Sequence, residues 1–244
     1  MKRIILAAFF CLAPFCTLAG RPALAAGFSD WAVLIVAGDD HAHSGAPSRV
    51  FDNARHDLAR AFARIGFSPA NIVQFSADPD AGAEADDPGG IATALWNLTA
   101  RAPGGCLVYF TSHGAPDGIL VGSQVLSADT VAPIIGNACG GKPSVIVMSA
   151  CFSGQFVPAL AGPDRMVFTA ARFDRTSFGC GESDRYTFFD GCFLSALPAS
   201  GDFPTAAEKT MACVSQKERQ LGVDLPSEPQ LSIGSKVMAS LRWK

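Results

Sequence analysis

The sequence predicts an α/β fold with a mostly parallel sheet covered by helices on both faces, and three observations carry that prediction. Short apolar runs that read as strands recur along the chain, segments of helical period lie between them, and two of the runs break into a reactive side chain at their carboxyl ends. Strands that alternate with helices imply crossover connections, and therefore parallel pairing with cover on both faces.

The strand-like runs lie at residues 31–37, 71–75, 106–111, 144–149 and 166–170. After the first, Ala54, Leu58, Phe62 and Ile65 recur every three or four positions from Val50, which builds one apolar helix face, and Gly66 is a natural stop. Residues 76–90, rich in Asp, Ala, Gly and Pro, read as an exposed loop without a packing role. A second helix is expected over 91–102 with Leu95 and Leu98 inward, and a third over about 128–137, interrupted early by Pro133. Residues 119–125 alternate apolar and small side chains, as a short hairpin beside His113 would. Two further helices are expected at about 187–197 and 204–221, and residues 228–234 read as a final strand. No internal repeat is visible, and the length suits one core.

The amino end reads as a signal peptide over residues 1–25, leaving 26–244 as a single domain. Lys2 and Arg3 precede an apolar run to about Leu18, and Ala23-Leu24-Ala25 is a small-x-small cleavage site. The run is shorter than the roughly 20 residues of a membrane span and contains Pro14, so export to the periplasm or medium is expected, without a stable membrane anchor. Loss of Lys2, Arg3 and Arg21 takes the formal charge from -3 to -6, a balance that argues against a nucleic-acid partner.

The two runs that carry chemistry are Cys106-Leu-Val-Tyr-Phe-Thr-Ser-His113-Gly114 and Ser144-Val-Ile-Val-Met-Ser-Ala-Cys151-Phe-Ser-Gly154. In an open parallel sheet, ligands sit at the carboxyl ends of the strands, so these two ends place a histidine beside a thiol. A thiol needs a base or a positive neighbour to act as a nucleophile. Neither residue has a second Cys or His at zinc-site spacing, and no metal or cofactor is expected. Taken alone, Cys151 would read as a small buried apolar residue and His113 as a loop residue; their placement at equivalent strand ends, with small or Gly residues following, favours chemistry.

Ser112-His113-Gly114 and Ala150-Cys151-x-Ser153-Gly154 resemble the signature segments of the legumain-like cysteine peptidases, family C13 of the caspase-like clan CD, in a single-domain bacterial form. The segments Trp31-Ala-Val-Leu-Ile-Val-Ala-Gly38, Asn53-Ala-Arg55-His56, Thr169-Ala-Ala-Arg172 and Thr176-Ser177-Phe-Gly-Cys180 are similar to further family segments in the same order, over roughly residues 30–235. The resemblance implies a caspase-like fold and hydrolysis of a peptide or protein substrate through an acyl-enzyme on Cys151. His113 would act as acid and base, and the backbone N–H groups of Gly114 and Cys151 would hold the oxyanion. It also implies Asn53 as the residue that orients the histidine, against the alternative of a helix cap. Arg55, His56, Ser149, Ser177 and Asp190 are carried over to the substrate pocket. Ser149 stands where the family has Glu, and Asp190 substitutes for an acid whose position falls on Gly191. An arginine short of one carboxylate would favour an acidic substrate side chain, so cleavage after Asn or Asp is expected. A transpeptidase or amidase, or an inactive peptide-binding relative, are the alternatives.

Of the eight cysteines, Cys11 and Cys16 leave with the leader. With Cys151 free and Cys106 expected buried and unpaired, Cys139, Cys180, Cys192 and Cys213 allow two disulfides in three connectivities, or none. Asp39-Asp40-His41-Ala-His43 has the groups for a divalent metal but reads as solvated loop, and the Asn97 sequon lies within an expected helix.

Overall fold

The structure, a computed structural model, describes residues 27–78 and 83–243. The expected leader lies outside the described residues. In chain order the strands are β1 (Trp31–Ala37), β2 (Ile72–Ser76), β3 (Glu84–Ala85), β4 (Gly105–Thr111), β5 (Gly114–Ala115), β6 (Gly118–Val121), β7 (Gln124–Leu126), β8 (Ser144–Ser149), β9 (Arg165–Thr169) and β10 (Gln230–Ile233). The helices are α1 (Val50–Arg64), α2 (Pro88–Arg101), α3 (Ala128–Cys139), α4 (Val157–Leu160), α5 (Phe188–Ala196) and α6 (Phe203–Gln220).

Seven strands form the central sheet in the order β10-β9-β8-β4-β1-β2-β3, parallel throughout except for the β9–β10 pair. The runs of apolar residues are explained by double-sided burial. Val33, Ile35, Leu107, Tyr109, Val145 and Val147 point to one core, whereas Leu34, Val36, Val108, Phe110, Ile146 and Met148 point to the other. α1, α5 and α6 cover the first face with Leu58, Phe62, Phe193 and Val214. α2, α3 and α4 cover the second with Ile91, Leu95, Ile135 and Leu160. Burial of a large apolar side chain contributes about 1.5–3 kcal/mol, so the alternation along β1, β4 and β8 fixes both register and layer order.

Helix starts follow local chemistry. Asp87 and Asp202 cap α2 and α6 from their side chains, each with Pro in the first turn, and the Thr187 hydroxyl accepts from Asp190 N at the start of α5. The exposed loop expected at 76–90 contains β3, which pairs with β2 through Phe75 and Ser76. The expected hairpin at 119–125 is part of a three-stranded sheet, β5-β6-β7, that begins at Gly114.

The cysteine pairing corrects one expectation. Cys106 is buried but joined to Cys139, Cα–Cα 5.9 Å, because the last turn of α3 lies on the sheet face to which Cys106 points. Cys192 and Cys213 join α5 to α6, Cα–Cα 5.7 Å, and Cys180 carries no disulfide.

Candidate active site

The chain runs from β1 outward to β2 and β3, then returns to β4 on the other side of β1 and continues to β8 and β9. Strand order therefore reverses between β1 and β4, and such a reversal opens a crevice at the carboxyl ends of the strands. Three turns converge there: residues 38–49 after β1, His113 after β4, and Cys151 after β8. His113, Gly114, Cys151 and Ser177 line one cavity of about 450 Å³.

His113 is held from two sides. Its Nε2 lies 3.1 Å from the His41 carbonyl oxygen, and Phe51 packs edge-on to its ring at 5.0 Å. A carbonyl can only accept, so Nε2 carries the hydrogen and Nδ1 is left to take a proton. The His41 turn is itself fixed by Asp39, whose Oδ1 accepts from His41 N at 3.0 Å and lies 3.1 Å from His41 Nδ1.

Cys151 sits in a tight turn. Phe152 has φ 58, an uncommon conformation for an aromatic residue, and is held there by its N–H bond to the Arg175 carbonyl at 2.7 Å. The Cys151 Sγ accepts from Ser177 N at 3.2 Å and lies 3.6 Å from Ser177 Oγ. No hydrogen bond joins Cys151 to His113 among the described residues. Gly114 closes against this turn: a Cβ there would overlap the Cys151 carbonyl oxygen, so only glycine lets the two turns approach.

A buried polar floor lies one step back from the reactive turns, on β4, the end of β8 and the start of α5. Asp190, fully buried in the first turn of α5, accepts from Tyr109 Oη at 2.7 Å and Thr111 Oγ1 at 2.6 Å. Burial pushes its carboxyl up, and hydrogen bonds from Thr111, Tyr109, Ser149 and Thr187 pull it partly back. Burial and the Asp190 charge push the Tyr109 phenol well above its usual value, which keeps it a neutral donor. Thr111 and Ser149 stand two residues before His113 and Cys151, so this floor ties both reactive turns to α5.

Several expected site residues lie elsewhere. Asn53 is on α1 but donates Nδ2 to the Arg185 carbonyl at 3.2 Å, not to His113; the His41 carbonyl and Phe51 hold the histidine instead. Asn53 is no helix cap either, since Arg49 precedes the first turn. Arg55 is wholly buried on α1, donating to Asp52 Oδ1 at 2.8 Å and to Gln74 Oε1 at 2.8 Å, and is absent from the cavity. His56 lies on the same helix with Nε2 3.9 Å from Asp52 Oδ2, also outside it. Ser177 lines the cavity; Ser149 and Asp190 are buried in the polar floor and do not line it. The His41 carbonyl escaped sequence reasoning because a main-chain group has no residue-type signal.

Asp39, Asp40 and His41 cluster, with His41 Nδ1 2.8 Å from Asp40 Oδ1. Asp86 lies close to both aspartates. Its two oxygens are shut from water with no hydrogen bond of full geometry among the described residues, and its pKa is raised to about 7. Burial is the main cause, with Asp39 and Asp40 adding to it and the Gly122 N–H and Arg55 giving partial relief.

Residues 97–217, a stretch that holds His113, Gly114, Cys151, Ser177 and Asp190, match the Peptidase C13 family model. By this match residues 97–217 belong to the peptidase C13 family. No curated protein matches it. Among solved structures it is similar to caspase-1 from Spodoptera frugiperda, at 13% identity over 91% of this chain and 94% of that one, with a TM-score of 0.63. At that identity the likeness speaks to the fold, which is caspase-like. The C13 match extends through β4, α3 and β8 to α6 and leaves out β1 and α1. Those excluded elements carry Asn53, Arg55 and His56, the residues that lie outside the cavity.

Proposed function

We propose that this C13 family member is an exported cysteine endopeptidase in which Cys151 attacks a peptide carbonyl and His113 serves as acid and base. The observation that carries the proposal is the meeting of His113, Gly114 and Cys151 at one cavity, on the ends of neighbouring parallel strands at the point where strand order reverses. Cys151 passes its thiol proton to His113 Nδ1, the thiolate attacks to give a tetrahedral oxyanion, and this collapses to an acyl-enzyme as the amine leaves with that proton. His113 Nδ1 then takes a proton from water, whose oxygen displaces Cys151 from the acyl carbon. The backbone N–H groups of Gly114 and Cys151 lie where the two turns touch, the place for oxyanion donors. Peptide or protein substrate suffices, and no cofactor enters the steps.

Cleavage after Asn or Asp belongs to the same proposal. Its support is the family-like segment Thr176–Cys180, which lines the cavity beside Cys151. Arg55 gives it none, being buried outside the cavity and bonded to Asp52 and Gln74. A peptide library with every residue before the scissile bond tests both levels. Hydrolysis confined to Asn and Asp peptides supports the full reading, hydrolysis after other residues rejects the preference, and none at all with folded protein rejects the peptidase.

A further inference from the structure

Six cysteines lie among the described residues; four form the Cys106–Cys139 and Cys192–Cys213 disulfides, and Cys151 and Cys180 remain as thiols. These two thiols line the same cavity. The strap that carries Cys180 is already in contact with Cys151, since Ser177 N donates to Cys151 Sγ at 3.2 Å and Ser177 O lies 3.7 Å from it. Between Ser177 and Cys180 stand Phe178 and Gly179, which line the same cavity, and Gly179 has φ +85, a conformation that favours glycine. The far end of the strap is tied by the bond from His43 N to the Cys180 carbonyl at 3.1 Å. Burial pushes the Cys180 thiol up, and the charge of Cys151 pushes it further.

We propose that Cys180 is a resolving thiol, which closes a reversible disulfide with Cys151 when the protein meets a low-molecular-weight disulfide. The proposal rests on the reading of Cys151 as the accessible nucleophile of this cavity. The Cys151 thiolate attacks one sulfur of the small disulfide, forms a mixed disulfide and expels one small thiolate. Cys180, its proton lost to solvent, then attacks the Cys151 sulfur and expels the second. Two protein thiols are oxidised and one small disulfide is reduced to two thiols; a dithiol reverses both steps. The Cys151–Cys180 bond removes the nucleophile and crosses the cavity a substrate would occupy, so the site is shut while oxidised. Without Cys180 the mixed disulfide has no internal thiol to resolve it.

Oxidised glutathione is the probe. After incubation, free thiols are alkylated and the tryptic peptides mapped by mass; Cys151 and Cys180 fall on different peptides, because Arg165, Arg172 and Arg175 lie between them. The expected result is a Cys151–Cys180 cross-link in the wild-type protein, with two alkylatable thiols lost and both regained on treatment with dithiothreitol. In Cys180→Ser, glutathione is expected to stay on Cys151. A stable glutathione adduct on Cys151 of the wild-type protein, with Cys180 still alkylated, would overturn the proposal without recourse to any variant. Peptide turnover on the same samples separates the two readings. A cross-link in a protein that never hydrolyses peptides upholds the thiol pair and sinks the peptidase; turnover with no cross-link does the reverse.

Discussion

Gly114 is the residue at which the proposed site has least room for change. A methyl group there would meet the Cys151 carbonyl, so one of the two reactive turns must move. Displacement of about 1 Å is enough to cost around 10²-fold in rate, and Gly114→Ala should lower kcat/KM by at least that factor while the urea unfolding midpoint moves little. Asp86 makes a prediction in pH. Its carboxyl has a folded pKa of about 7 against 3.8 in the unfolded chain, so between these values the folded state holds a proton that the unfolded state has lost. Its contribution is fully present below pH 3.8 and is lost as pH rises toward 7. Asp86→Asn should therefore gain stability relative to the wild type from pH 4 to 7, by a few kcal/mol and about 4 at most, measured as the difference in unfolding free energy across that range. At this scale the sequence made the meeting of His113 and Cys151 legible, because each is a scarce residue type at the end of an apolar run, whereas Gly114 and Ser177 were marked only by the family-like segments that hold them. Arg55 and Asn53 take different partners because an i, i+2 pair on a helix points to different sides, one toward Asp52 and the other toward Arg185.

Among the elements, α5 has the strongest tie to the site. Asp190 reaches from its first turn to Tyr109 and Thr111 on β4, and its neighbour Cys192 bonds the same helix to α6. Asp190→Ala would leave the buried hydroxyls of Tyr109 and Thr111 without their acceptor, at roughly 1–3 kcal/mol for each orphaned group. A fall of about 3 kcal/mol in unfolding free energy is expected by urea denaturation, and an unchanged midpoint would show that the floor is not a structural tie. Most elements were legible because burial on both faces leaves β1, β4 and β8 as unbroken apolar runs, and α1 shows its inward stripe at Ala54, Leu58 and Phe62. β3 was not: two exposed residues, Glu84 and Ala85, pair through backbone alone, and no side-chain period marks them. The Cys106–Cys139 bond was hidden for a related reason, since an apolar run gives no sign of which helix lies over its first residue.

For the whole molecule, one reversal of strand order does the positioning. β1 ends in the turn whose carbonyl holds His113, β4 ends in His113 itself, and β8 ends in Cys151, so three neighbouring strands deliver three parts of one site. Alternating strands and helices made this architecture readable, whereas the carbonyl contact required the packed chain. The central claim is that Cys151 and His113 act together on peptide bonds. Its most direct test is the turnover of one cleaved peptide by the wild type, Cys151→Ala and His113→Ala, each checked for native unfolding behaviour. The account predicts no turnover above background for Cys151→Ala and a loss of about 10²–10⁴-fold for His113→Ala. Turnover by Cys151→Ala at the wild-type rate would contradict it.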